Sequence, residues 1–477
     1  MTDVEPVPAE LLDDATVDDT TVDDVDSIRA RAASLPWWRR PREFRRQLAF
    51  TLVATALASV LLVGGLNFVA ASDLLNEGTE EQLVGIGEAR ARTIENGVGR
   101  LLSQVSAISG DLGVVAALED FTDDFAALDS ETLTAAQTQA LEQFYQREVV
   151  DLYDDLGLEP VTVDEFLPAT AAGRYLQYHY TVAPSDEGVD PRSVVDADDG
   201  SAYSATHAIH HEALGAMLTN AAAAGDAMLV SLAGDVVYSV DKRIDFGTNL
   251  LDGPYNDSNL ASVLRDRLPR VRSGRAVVAD VELYLPAQGR PVLFAAATVK
   301  NDTETIGILV SEVPVNALSS ITTTGEQWEE FGLQSGESYV VGSDLLLRSE
   351  SREWIEDPEG YLDKVDDELT AGLIEGLGSP IGLQFVATEP VTVAFEGDEF
   401  RGQARNYLGD RTFSYSQQID VEGVSWAVVV DIPLNDARSP LFEYARRLGL
   451  VLLIVLPAAA ISGLWLARRL TRPIPPV

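Results

Sequence analysis

A chain of 477 residues is long enough for two or three domains, and its formal charge of −42 excludes nucleic-acid binding, because phosphate recognition needs a basic surface. There is no cysteine, so disulfides and thiol chemistry are excluded and the chain can sit in an oxidising compartment without them. The acidic balance would attract cations, but a merely solvated exterior is the simpler reading.

In chain order, residues 1–28 carry Asp3, Glu5, Glu10, Asp13, Asp14, Asp18, Asp19, Asp23, Asp24 and Asp26 with no basic residue, which predicts a disordered acidic tail. The sign then reverses over 29–47 with Arg29, Arg31, Arg39, Arg40, Arg42, Arg45 and Arg46, a basic juxtamembrane segment holding Trp37 and Trp38 at an interfacial position. Residues 48–71 are apolar and long enough to span a bilayer. A cleaved signal peptide is the competing reading; the run is too long for one and lacks a clean small-residue cleavage site. A second apolar run, 448–467, is followed by Arg468, Arg469 and Arg472. Basic residues flank the first run on its N-terminal side and the second on its C-terminal side, so both termini are expected in the cytoplasm and 72–445 outside the plasma membrane. Arg446 and Arg447 weakly oppose that orientation.

Between the spans, Ile94, Val98, Leu101, Val105, Ile108, Leu112 and Val115 recur at spacings of 4 and 3, an apolar seam predicting a long helix over 80–118. Its seam would pack on the chain's own sheets and, lower down, on a second copy, so a homodimer is expected. A helical block follows over 130–223, with one helix over Ser130–Leu156, a capping box at Thr162–Glu165 and a helix around His207–Leu218. From Ala227 the period changes to that of strands. Met228–Leu232 and Val236–Val240 make a hairpin around Gly234-Asp235, and Ala276–Leu283, Pro291–Val299 and Thr305–Glu312 follow a helical insertion. The pattern repeats at Glu337–Val341 and Leu345–Arg348, a helix near Asp366–Leu377, then Val391–Phe395, Thr412–Ile419 and Val424–Ile432. The fold expected is α+β: a long N-terminal helix and two tandem PAS-like antiparallel-sheet modules, distal at about 227–320 and proximal at about 330–433, bracketed by two transmembrane helices.

Certain stretches resemble a known family. Arg174–Tyr180, Asp198–Ser204, Gly234–Val240, Asp245–Leu250 and Gly332–Gly342 resemble the outside double Cache region of bacterial Cache-HAMP receptors, many of which continue into a class III adenylate or guanylate cyclase. The ending Arg468-Arg469-Leu470-Thr471-Arg472-Pro473-Ile474 resembles the first turn of a HAMP linker, which implies Arg468, Arg469, Arg472 and Pro473 as the signal exit. A HAMP unit runs a few tens of residues further, so an output domain is expected beyond Val477. The resemblance implies a receptor whose outside region senses a small solute. Chemoreceptor, histidine-kinase and diguanylate-cyclase outputs are alternatives, and a membrane-anchored structural or adhesion protein is an alternative of another class.

Two groups of residues invite chemistry. The concave face of the first sheet would put Tyr238, Lys242, Asp245, Tyr255 and Asp257 at the mouth of a ligand pocket, against the bland reading of core tyrosines and a surface charge cluster. His207, His210 and His211, perhaps with Glu212, have the helical spacing of a metal site, against the commoner reading of core or solvated histidines; alternatively they confer pH response. No Gly-x-Ser-x-Gly, phosphate-binding glycine loop with Lys, or His-Glu-x-x-His is present, so no catalytic constellation is visible and no cofactor is called for.

Overall fold

The computed structural model describes residues 41–470 except 223–224, 272–273, 303, 315–318, 320–327, 329–332 and 334; the acidic tail, Trp37, Trp38, Arg472 and Pro473 lie outside the described residues. The chain divides into two compact units, Met1–Leu75 with Arg438–Val477, and Asn76–Ala437. In the first, the apolar start of helix α1 (Pro41–Ile108) lies beside the last helix, Ser439–Leu470. A Cβ on Gly64 would touch Leu448 and one on Gly463 would touch Leu52, so the two apolar segments run antiparallel. Both are long and apolar enough to cross a membrane.

Helix α1 continues without a break past residue 71, and the seam from Ile94 through Val98, Leu101 and Val105 is buried. The predicted helix to 118 is corrected here. The helix stops at Ser109-Gly110-Asp111, where the Asp111 carboxylate caps a new helix, α2 (Leu112–Ala127), by accepting from Gly113 N at 2.7 Å. The register resets across the break. Leu112 is 83% exposed, and Val114, Ala117, Leu118, Phe121 and Phe125 form the new buried stripe.

The predicted helix over Ser130–Leu156 divides into a 3-10 turn, a helix α3 (Ala135–Tyr145), a π-helical turn (Gln146–Val150) and Asp151–Asp155. Thr134 opens α3 with a capping box of its own, while the box at Thr162 and Glu165 holds only a single 3-10 turn. Helix α4 (Ala202–Ala222) carries the histidines.

The fold is α+β with two antiparallel sheets. The first has the order β2-β1-β5-β4-β3, from β1 (Ala227–Ser231), β2 (Val236–Ser239), β3 (Val277–Tyr284), β4 (Arg290–Lys300) and β5 (Thr305–Pro314). The second has the order β6-β9-β8-β7, from β6 (Glu337–Gly342), β7 (Phe400–Arg405), β8 (Arg411–Val421) and β9 (Val424–Pro433). Two strand expectations in this module are corrected. Leu345–Arg348 makes only isolated bridges, with Leu345 in the left-handed region at φ +65°. Val391–Phe395 is helical, within α6 (Glu389–Phe395), which follows α5 (Glu368–Leu377). Pro390 in its first turn pre-sets a helical φ, and an N-terminal acidic residue, Glu389, favours the helix start; both outweigh the β-branched run. The strand that the sequence did not announce is β7, an edge strand in which half-buried Phe400, Gly402 and Ala404 alternate with exposed Arg401, Gln403 and Arg405.

Helix α1 is the spine of this unit. Ala91 to Val105 join the core under the first sheet, while Leu83 packs with Phe413, Tyr415 and Val430 of the second. Gly87 permits that approach, since a Cβ there would lie 2.2 Å from the Tyr415 ring. The modules also meet directly. The Asp280 carboxylate on β3 accepts from Arg348 Nε at 3.1 Å and Nη2 at 3.0 Å, and from the Trp426 indole at 2.9 Å; Arg348 and Trp426 are both buried.

Candidate functional site: a basic cleft at the rim of the first sheet

The loop leaving β2 is shaped by a residue that sequence reasoning missed. Asp226 is 1% exposed, and its Oδ1 accepts from the backbone N–H of Ala227, Val240 and Asp241 at 2.6, 3.1 and 3.0 Å, while its Oδ2 accepts from Ser239 Oγ at 2.9 Å. Ser239 Oγ in turn accepts from Lys242 N, which helps hold Lys242 in the left-handed region at φ +52°. Nothing in the local sequence sets Asp226 apart from the chain's many other acids.

The helical block grips the outside of the same loop. Gln177 Nε2 donates to the carbonyls of Arg243 and Phe246 at 3.0 and 2.6 Å, Thr181 Oγ1 donates to Lys242 O at 2.8 Å, and the Tyr145 hydroxyl donates to Ile244 O at 3.1 Å. Gln177 and Thr181 sit on a π-helical stretch, Gln177–Val182, a wider turn that recurs at functional sites. Gly173 and Gly247 let the two backbones touch, since a Cβ on Gly173 would lie 2.2 Å from Gly247 O.

Between these walls is a cleft of about 390 Å³. Phe144, Arg147, Glu148, Thr181 and Ser185 line it from the helical block, Asp241 to Ile244 from the loop, and Leu285, Pro286, Gln288 and Arg290 from the β3–β4 connection. Its charged lining is Arg147, Lys242, Arg243 and Arg290 against Glu148 and Asp241. In a chain of net charge −42, that is a local inversion of sign. Arg243 is committed to Glu312 at 2.8 Å and Asp241 at 2.7 Å, and Arg192 also pairs with Asp241 at 3.0 Å. Burial pushes Asp241 up to about 6 and Glu312 up to about 7 in spite of these arginines. Lys242 differs. Its side chain is fully buried, its ammonium donates to Val240 O at 3.4 Å and lies 3.5 Å from His211 Nε2, which is itself a donor, and among the described residues no carboxylate pairs with it. Burial lowers its pKa to about 7, against the opposing pull of Asp226 and Asp241.

Of the five residues expected at the mouth, only Lys242 lines the cleft. Asp245 is 1% exposed and lies in the core; its Oδ2 accepts from the Tyr284 hydroxyl at 2.9 Å, its Oδ1 has no partner, and burial followed by the charge of Asp226 pushes it up to about 7. Tyr255 is buried beside Tyr284, and Asp257 is exposed in the loop beyond it. Tyr238 belongs to a separate aromatic cluster, stacked on Phe121 at 4.9 Å, with its hydroxyl 2.9 Å from His211 Nδ1.

His207 and His211 belong to that cluster, and His210 lies at its edge, 5.9 Å from the Phe121 ring. His207 and His211 stack at 4.4 Å. His211 Nε2–H donates to Arg192 O at 2.9 Å, which leaves Nδ1 to accept from Tyr238, and His207 Nδ1–H donates to Val195 O at 2.7 Å. His210 instead reaches Asp120 at 2.9 Å. Among the described residues no three His, Asp or Glu side chains are placed to share one ion. Burial, then the charge of Lys242, holds His211 down at about 4 and His207 lower still, so both stay neutral at mildly acid pH. At the chain's far end the Arg469 guanidinium lies 5.0 Å from the Trp465 ring.

No protein-family model matches the chain, and no curated protein matches it. Solved structures similar in part include the ligand-binding domain of the Pseudomonas fluorescens chemoreceptor CtaA in complex with L-leucine, at 10% identity, covering 48% of this chain and 80% of that one with a TM-score of 0.27. The ligand-binding domain of the Pseudomonas aeruginosa PAO1 amino acid chemoreceptor PctB in complex with L-Arg shows 12% identity, the same coverages and a TM-score of 0.29. The sensor domain of the V. cholerae histidine kinase DctB shows 14% identity over 62% of this chain and 98% of that one, with a TM-score of 0.29. Likeness this distant carries no ligand or activity over to this chain.

Proposed function

We propose that the chain is a two-pass receptor of the plasma membrane, with both termini cytoplasmic, whose outside unit binds a small anionic solute in the cleft between the helical block and the loop 241–244. The observation that carries this reading is the inverted charge of the cleft, where Arg147, Lys242, Arg243 and Arg290 outnumber Glu148 and Asp241. Cations in a partly desolvated cleft attract a ligand anion more strongly than fully solvated ones would. Closure on the ligand draws the helical block and the loop together, and α1, packed along both modules, transmits the movement to the second apolar helix and to the HAMP-like segment with Arg468, Arg469, Arg472 and Pro473. Two copies pair through α1. The output is a class III nucleotide cyclase, by the resemblance of residues 174–250.

The test is a thermal-shift and calorimetric screen of the full chain in lipid nanodiscs against carboxylates, phosphates, amino acids, polyamines and divalent metals. An anion at a hundred times its Kd stabilises the folded state by about 2.7 kcal/mol, a clear rise in melting temperature. Lys242→Met, which removes a buried charge without opening a cavity, is expected to keep the fold and to weaken that anion about tenfold or more. Hits confined to polyamines or metals would refute the anion reading, and no hit at all would favour a structural role.

A further inference from the structure

We infer that the second module is a proton-responsive element: Glu337 and Asp431, opposed on neighbouring strands in its core, hold the module closed when protonated and loosen its last strand when both are charged. The geometry is specific. The two residues are direct cross-strand partners in the β6–β9 ladder, and Ser414 is the partner of Asp431 on its other side, in β8. Like charges at directly opposed positions repel, and here both side chains are at least nine-tenths buried, at 8% and 2% exposed. Only hydroxyl and backbone groups bond them. Asp431 Oδ2 accepts from the Tyr339 hydroxyl at 3.0 Å, and Oδ1 has no partner. Glu337 Oε2 accepts from Arg352 N at 3.1 Å and from the Tyr407 hydroxyl at 3.4 Å.

Among the described residues no cation pairs with either carboxylate. The segment after β6 brings Glu350, Arg352 and Glu353 toward the pair, and the next helix brings Tyr361. The Arg352 guanidinium is spent elsewhere, on Glu356 and on the carbonyls of Leu333 and Gly336. Lys364 is held by Glu353 and Asp410. Burial, with Asp431 and Glu353 adding to it, pushes Glu337 up to about 7, and burial pushes Asp431 up to about 6, the Ser414 and Tyr339 hydroxyls only partly restraining it. Carboxyls raised in the folded state bind more protons folded than unfolded. Their contribution is therefore fully present below the ordinary carboxylate range and is lost as pH rises through about 6 and about 7. Strand β9 runs directly through Leu434–Ala437 into the helix Ser439–Leu470, so loosening this strand acts on the segment by which the chain leaves the module.

The test is segment-resolved hydrogen exchange of the full chain in nanodiscs at about pH 5.5 and about pH 7.5, with intrinsic rates corrected. Peptides of β6, β8 and β9 are expected to open about threefold to tenfold more readily at the higher pH. Glu337→Gln with Asp431→Asn replaces both acids by neutral shapes of the same size, and in this double variant the difference is expected to shrink below about twofold. The β4 and β5 peptides, which have titrating neighbours of their own in Glu312 and Asp245, should keep their wild-type response. Either single variant, which should retain about half of the difference, keeps the test open if the double variant does not fold. A wild type whose proximal strands open equally at both pH values overturns the proposal, as does a variant that keeps the full difference.

Discussion

The two modules share a sheet architecture and treat buried charge in opposite ways. In the first, Arg243 sits between Asp241 and Glu312, Asp226 is saturated by three backbone amides and a serine, and Lys242, buried and paired with no carboxylate among the described residues, lines a cleft. In the second, two carboxylates face each other across a strand pair with no cation on either, and the same face of the sheet is otherwise closed by Tyr339, Val341, Ala427, Val429 and the helix that carries Val391. One chain thus yields a cleft lined mostly by cations and a core in which two acids stand opposed. The difference lies in which buried groups are left to be satisfied from outside.

That comparison can be broken most severely at the joint between the modules. Asp280→Ala takes from the buried Arg348 one of its two carboxylates, Asp344 remaining at 2.7 Å, and leaves the Trp426 indole without its acceptor, and should destabilise by about 3 kcal/mol, read as a lower thermal midpoint or as two transitions where the wild type has one. Gly87→Ala drives a methyl into the Tyr415 ring and should cost about 1–3 kcal/mol, felt first in exchange of β8. Gln177→Ala leaves the Arg243 and Phe246 carbonyls without their donor; about 1–2 kcal/mol is expected, together with weaker ligand binding, while exchange of β6–β9 stays unchanged. Leu112→Ser should change stability by less than about 0.5 kcal/mol, because the helix break at 109–111 has turned this seam residue to solvent, whereas Val105→Ala, one turn before the break, should cost distinctly more.

Much of the strand order was legible, because alternating apolar runs bounded by Gly and Asp turns are local signals. The hairpin at Gly234-Asp235 and the long β8–β9 pair lie close to where periodicity puts them. Where the reading failed, a neighbouring residue outvoted the pattern. Pro390 made a helix of a β-branched run, and Gly110 with Asp111 cut a heptad that runs unbroken on paper. The site was less legible. Of the residues expected at a pocket mouth, Lys242 lines the cleft, but Asp245 and Tyr255 are core, Tyr238 belongs with the histidines, and Asp226 carries no local signal at all.

Sequence by itself determined the two apolar helices, the acidic exterior, the absence of thiol chemistry and the α+β alternation, since these depend on composition and on periods of a few residues. Only the tertiary structure decided which of 76 acidic residues are buried, which of those find a cation, and which cation finds none. Burial and pairing are set by contacts between positions far apart in the chain, as Asp280 with Arg348 and Glu337 with Asp431 are, and no local pattern encodes them.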